Sequence, residues 1–270
     1  MIRRAAKAAV LPLGLKDRRG PGDVVILLYH RVGAGGREID LPVSAFTSQL
    51  ADLQARERVL TLDEAVSGGN GGGIVLTFDD GYRDFHEHVL PLLVQFKMPA
   101  VLYLASGLVA GERSAPDGHA LTWSQLREAV STGLVEVGAH THSHVNLARA
   151  GWVEAEAEIR GSKELIEDRL GVECRHFAYP WCVASLPARR VVARLFETAA
   201  LDAWRTNRRG QIYPHRLGRT PVLRSEGRTF FRAKVAGLLD GEALLYRALG
   251  RGPWKWGMTT PSPRALSAEL

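Results

Sequence analysis

Short apolar runs recur along the chain, and each is followed by a polar or glycine-containing break. The clearest are Val24-Val25-Ile26-Leu27-Leu28-Tyr29, Ile74-Val75-Leu76-Thr77-Phe78, Ala100 to Leu104, Leu134 to Ala139 and Cys174 to Tyr179. Thr198 to Ala203 and His215 to Val222 read as the last two. Near-continuous apolar runs of this length describe strands buried on both faces, as in a parallel sheet. Between them the apolar spacing turns helical. Ser44 is placed as the N-cap of a helix through Phe46, Leu50 and Leu53. Val59 to Leu62 reads as a short strand, Asp63 to Val66 as a brief helix, and Gly68 to Gly73 as a linker without the Gly-Lys-Ser/Thr ending of a phosphate loop. Further helices are expected from Asp84 to Lys97 with Pro91 kinking or dividing it, from Thr122 to a stop at Gly133, from Trp152 to Leu170 closed by Gly171, and from Pro187 to Phe196.

About seven strand–helix units point to an α/β fold, an irregular (β/α)7-type barrel forming a single domain, with its active site at the carboxyl ends of the strands. The barrel is expected over residues 23–225. A basic N-terminal tail occupies 1–22, and 226–270 hold one helix (Phe230 to Leu239) and a basic tail with Trp254 and Trp256.

Composition adds little to the fold and more to the partners. The chain has 270 residues, 46% hydrophobic and 24% charged, enough to bury a large core. Its 35 Lys and Arg outnumber 29 Asp and Glu, which favours anionic partners such as a lipid surface or an acidic glycan. No aromatic-interleaved basic motif of a nucleic-acid-binding module is present, so nucleic acid is not expected. With Cys174 and Cys182 alone, a disulfide framework is excluded, which suits a reducing compartment. The apolar stretch Ala8-Ala9-Val10-Leu11 is too short to span a membrane and poor as a signal core. A cytoplasmic or membrane-peripheral protein is expected, with weak lipid contact by the basic N-terminus or the C-terminal tryptophans as the minority alternative to frayed tails. The oligomeric state is not legible.

The chemistry lies at two strand ends. One apolar run delivers Asp79-Asp80-Gly81, and another delivers His140-Thr141-His142-Ser143-His144. Adjacent aspartates at a strand end face different directions, so one can hold a cation while the other stays free as a base. Asp-Asp-Gly is also good turn chemistry. His140 and His144 are four apart and would share one face of a helical turn, a common way to present two imidazoles to zinc. Two imidazoles and one carboxylate make a three-ligand set with open positions. Thr141 either bonds within the loop or meets a ligand, and His142 points away.

These residues resemble a known family. Thr77-Phe78-Asp79-Asp80-Gly81 and His140-Thr141-His142-Ser143-His144 are similar to the first two motifs of the polysaccharide deacetylase family (NodB homology domain, carbohydrate esterase family 4). Phe177-Ala178-Tyr179-Pro180-Trp181 and Leu28-Tyr29-His30-Arg31-Val32 resemble the poly-N-acetylglucosamine deacetylases of exopolysaccharide systems. The resemblance implies that Asp79 is the general base and that Asp80, His140 and His144 hold a divalent metal, zinc or another. It also implies that the backbone N–H of Trp181 faces the developing oxyanion. Tyr179, Pro180, His30 and Arg219 are the expected substrate contacts.

Two departures stand out. The arginine that orients the base in the family's commoner third motif is replaced by Ala178, and the last motif lacks its histidine acid. Arg219 matches an arginine of the exopolysaccharide branch. His215 or Asp79 itself is left to protonate the leaving amine. Cys182 stands where glycine is usual. The expected substrate is an N-acetylated glycan or glycolipid, deacetylated with release of acetate. Deformylation of a lipid-linked aminosugar, hydrolysis of another C–N bond, and a non-catalytic glycan-binding module are the alternatives.

Overall fold

A computed structural model describes residues 19–68, 71–113, 115 and 119–238. The elements in chain order begin with β1 (Val24–Tyr29), β2 (Arg31–Val32), β3 (Asp40–Leu41), α1 (Val43–Arg56) and α2 (Leu62–Val66). β4 (Gly73–Asp80) follows, then a π-turn over Phe85–Val89, α3 (Leu90–Phe96), β5 (Ala100–Leu104) and α4 (Ser106–Val109). The second half holds α5 (Trp123–Ser131), β6 (Val135–Ala139), α6 (Trp152–Leu170), β7 (His176–Ala178), α7 (Leu186–Leu195), β8 (Thr198–Ala203), β9 (Leu217–Pro221) and α8 (Arg228–Val235).

Seven strands close into a parallel barrel in the order β1-β4-β5-β6-β7-β8-β9, with β9 pairing back onto β1. The α/β barrel read from the apolar runs is therefore the fold, in a single domain. β2 and β3 form a separate two-stranded ribbon. Strand alternation divides the core in two. Val24, Ile26, Val75, Val101, Tyr103, Ala178, Ala200 and Leu217 belong to the cluster that fills the lumen. Leu27, Tyr29, Leu76, Phe78 and Leu102 face outward to the helices, as burial on both faces requires. Phe78 stacks on Tyr29 at 5.2 Å and meets Phe46 and Phe85 edge-on. These contacts bury the outer side of β4 and fix which of its side chains face inward. Each such side chain gains about 1.5–3 kcal/mol on burial.

Gly138 shows how tightly the lumen is filled. A Cβ there would lie 2.6 Å from Tyr103 Cδ1 and 2.8 Å from the His176 carbonyl oxygen. Gly138→Ala is therefore expected to destabilise the fold by about 1–3 kcal/mol, read as a lower melting temperature in a thermal scan.

Several local expectations change. The α1 N-cap is Pro42, and Ser44 lies inside the helix, because Pro42 ends the preceding ribbon in extended backbone. No strand spans Val59 to Leu62. Only Val59 bridges to Ile74, and Thr61 instead caps α2 through a capping box with Glu64. The helix after Gly81 is divided as Pro91 requires, a π-turn preceding α3. α4 follows β5 directly and has no counterpart in the apolar pattern, being a single turn too short for periodicity to mark. The expected N-terminal tail and the segment with Trp254 and Trp256 lie largely outside the described residues. No helix among the described residues is long and apolar enough to cross a membrane.

Candidate active site

Five strands build the site. β4 supplies Asp79 and Asp80, and alternation sends Asp79 into the lumen. Asp80 adopts a left-handed backbone (φ 77°) and is followed by Gly81 at φ 91°, where a Cβ would strike Leu104 at 2.8 Å. This double left-handed turn lets Asp80 swing across the rim toward the loop after β6.

That loop carries His140 and His144. It is not a helical turn: Thr141 (φ 64°) and His144 (φ 55°) are both left-handed, and the four-residue spacing works through a tight loop. His140 Nδ1 bonds the Ala178 carbonyl at 2.7 Å, which fixes its tautomer and leaves Nε2 as the lone-pair nitrogen. Asp80 Oδ1 lies 3.2 Å from His144 Nε2 and 3.7 Å from His140 Nε2. One donor atom from each of the three residues falls within 4.8 Å of the others. Asp80 Oδ1 is buried and makes no aligned hydrogen bond. A buried acceptor without an aligned hydrogen bond, set beside two imidazole nitrogens, suits a divalent cation.

Electrostatics agree. Burial drives the His140 imidazole down to about 4 against the pull of Asp79 and Asp80, so it is neutral at pH 7 as a ligand must be. Burial would raise the Asp80 carboxyl, but the charges of His144, His30 and His140 outweigh it and hold it well below the usual range. Asp80 conversely raises His144 against the opposing effect of burial.

Asp79 is not the unpartnered acid that the strand-end logic suggests. Arg219, from β9, grips it with two parallel hydrogen bonds, Nη1 to Oδ1 at 2.6 Å and Nη2 to Oδ2 at 2.8 Å. The arginine is 1% exposed and Asp79 3%, with the guanidinium 5.4 Å from the Tyr103 ring. Burial pushes the Asp79 carboxyl up, and Arg219, His140 and His30 together bring it below its ordinary value. Asp79 Oδ2 is still 3.7 Å from His140 Nε2, beside the cation position.

Arg219 is buried beneath Asp79, and in place of the substrate contact expected of it the structure has an ion pair with Asp79. Tyr179 is buried too, its ring packed 4.9 Å from Phe177 in the outer layer, because alternation continues past β7. Pro180 is likewise buried. Neither side chain lines the mouth as a substrate contact would. His30, at the end of β1, is half-buried and close enough for its charge to act on both aspartates. Trp181 is left-handed (φ 55°), its ring edge-on to His144 at 4.6 Å and its indole nitrogen without a partner among the described residues. His215 precedes β9, at the opposite end of the barrel, where it bonds the Phe196 carbonyl. It takes no part in the site. Cys182, also left-handed, lies in the same loop as Trp181.

A brace behind the histidine loop was not legible in sequence. His142 bonds Ser106 through Nδ1 at 3.0 Å and Glu112 through Nε2 at 2.7 Å, while Ser143 is held by Glu158 at 2.8 Å. Arg113 donates to the Ser143 carbonyl. A second group, Asp63, Glu136 and His176, lies at the far end of the barrel, where Arg175 already pairs with both carboxylates.

A parallel barrel with a carboxylate–arginine pair in its lumen, and one carboxylate with two imidazoles on its rim, defines a NodB-like α/β barrel with a candidate divalent-cation centre. Residues 68–196, which hold Asp79, Asp80, His140, His144 and Trp181, match the family Polysaccharide deacetylase. Over 143 residues the chain is 31% identical to the poly-beta-1,6-N-acetyl-D-glucosamine N-deacetylase of Escherichia coli (strain K12), covering 46% of this chain and 21% of that one. The fold superposes on the Streptococcus pyogenes deacetylase PplD in complex with acetate with a TM-score of 0.71 at 21% identity, covering 80% of this chain and 99% of that one. For IcaB from Ammonifex degensii the TM-score is 0.67 at 24% identity, over 80% and 97% of the two chains. Both structural likenesses concern the fold. The matched stretches span 57%, 21% and 38% of the lengths of three curated relatives.

Proposed function

We propose that the chain is a divalent-cation-dependent hydrolase that removes N-acetyl groups from an N-acetylated glycan or glycolipid. The observation that carries this reading is the convergence of Asp80, His140 and His144 next to the Arg219-clamped Asp79. A relative named as an N-deacetylase of poly-β-1,6-N-acetylglucosamine supports the substrate class.

Asp80, His140 and His144 would hold the cation, with zinc fitting the two-imidazole, one-carboxylate set. Bound there, it would polarise the acetamide carbonyl and lower the pKa of water from about 15.7 towards 7. Asp79 takes the proton from the attacking water. Both its oxygens accept from Arg219, yet each carboxylate oxygen retains a further lone pair. Arg219 keeps this base ionised and fixed in orientation, so it is weak but always ready. The backbone N–H of Trp181 is the donor to the developing oxyanion, a contact worth about 3–4 kcal/mol. As the C–N bond breaks, the proton gained by Asp79 passes to the leaving nitrogen, giving acetate and a free amine. His30 is placed to hold the substrate or assist that transfer.

Asp80→Ala and His140→Ala are expected to lose the bound cation, measured as metal per chain after dialysis, and to lose acetate release with it. Unchanged metal content would remove the assignment. Acetate release is best compared across chitin oligomers, poly-N-acetylglucosamine and peptidoglycan fragments. Release of formate from a formylated aminosugar would favour the deformylase alternative, and saturable glycan binding without turnover the binding module.

A further inference from the structure

We propose that the edge of the barrel mouth formed by the first turns of α6 and α7 docks on an anionic lipid surface, so that the site works on glycan presented there. The second clause rests on the function proposed above; the docking surface does not.

Three large apolar side chains stand in solvent at this edge: Trp152 is 49% exposed, Val153 86% and Leu186 44%. Trp152 opens α6 and Leu186 opens α7. Their loops are tied together: Ser185 donates to the Ala150 carbonyl through its hydroxyl and to the Leu147 carbonyl through its N–H, each at 2.8 Å. These are the same two loops that carry His140, His144 and Trp181, so the patch borders the mouth. Clustered exposed apolar groups at a functional rim mark a contact surface, where scattered ones would not.

Charge identifies the occupant. Arg149, Arg189 and Arg190 are exposed around the patch. One turn further from the mouth, Arg194 pairs with Glu156 at 2.5 Å, which places Arg190 on α7 beside Trp152 on α6. Arg194 shares Glu156 with Arg160, whereas Arg149, Arg189 and Arg190 form no ion pair with a described carboxylate. Glu154 is the acidic residue of the first α6 turn, about 200° around the helix from Trp152. Both helix amino termini add partial positive charge at this edge. Tryptophan and leucine set among unneutralised arginines suit the boundary between headgroups and acyl chains, where the indole is stable and each arginine gains from anionic lipid. A protein partner with a matching apolar face would not need the surplus positive charge.

The test is flotation of the full chain with phosphatidylcholine vesicles, with and without phosphatidylglycerol. The wild-type chain should float with phosphatidylglycerol vesicles and lose this at high salt. Trp152→Ala/Leu186→Ala and Arg189→Gln/Arg190→Gln should each lower the partition coefficient about tenfold. Neither pair touches the catalytic groups, so acetate release from a soluble oligosaccharide should be unaltered. Equal binding by all three proteins, or none by the wild type, overturns the docking surface. So does a concentration-dependent dimer that Trp152→Ala/Leu186→Ala abolishes, which would make the patch a contact between copies. Flotation requires no turnover, so a chain that floats but releases no acetate overturns the function and leaves the surface standing.

Discussion

Asp79→Asn is expected to lower acetate release by a factor of about 10²–10⁴ while leaving the cation in place. The amide cannot accept the proton of the attacking water, and none of the three cation ligands is altered. The substitution has a second effect that a solvent-exposed base would not show. Arg219 is buried with Asp79 as its counter-charge. Removing that charge strands a guanidinium in the lumen, at a cost of up to about 3–5 kcal/mol. The Asp79→Asn variant should therefore combine lost turnover, retained metal and a lowered melting temperature. Turnover at the wild-type rate would remove Asp79 as the base, and an unchanged melting temperature would contradict the buried pair.

The converse substitution separates orientation from charge. In the intact chain Arg219 and the neighbouring imidazoles hold the Asp79 carboxyl below its ordinary value despite its burial. A group whose folded pKa is depressed adds stability that is present above its unfolded value, about 3.9, and is lost as pH falls through the lower folded value. In Arg219→Met the largest opposing charge is gone and burial prevails, so the Asp79 carboxyl rises. The sign reverses: Asp79 then disfavours the folded state above its unfolded pKa, and stability declines as pH rises. The variant should lose about 3–5 kcal/mol at neutral pH and recover part of it at about pH 4–5, read from thermal scans at both pH values. Its acetate release should fall, with the acid limb of the pH–rate profile moved upward. A melting temperature that falls equally at both pH values would mean that Arg219 contributes packing alone.

The barrel was legible because its strands are buried on both faces and read as unbroken apolar runs. Val24–Tyr29, Thr198–Ala203 and Trp152–Leu170 fall where the pattern puts them. The candidate cation site was legible in part, since Asp-Asp and the paired histidines end such runs. How they converge was not, because it depends on non-glycine residues in left-handed backbone, Asp80, Thr141 and His144, which sequence spacing does not encode. Arg219 left a usable signal. It shares the lumen-facing side of β9 with Leu217, two residues earlier, and a charge there requires a buried opposite charge. Following the family's motifs places it with the substrate, whereas strand alternation places it with Asp79. The Ser106–His142–Glu112 brace left no such trace, since α4 is a single turn and its partners lie 36 and 30 residues apart in sequence.

The Asp79–Arg219 pair joins residues 140 positions apart, across the first half of the barrel and its closing strand. During synthesis the carboxylate emerges from the ribosome long before the guanidinium that makes its burial tolerable. A barrel lacking its last strand would leave Asp79 without its counter-charge. Ring closure by β9 thus also delivers the counter-charge that the burial of Asp79 requires.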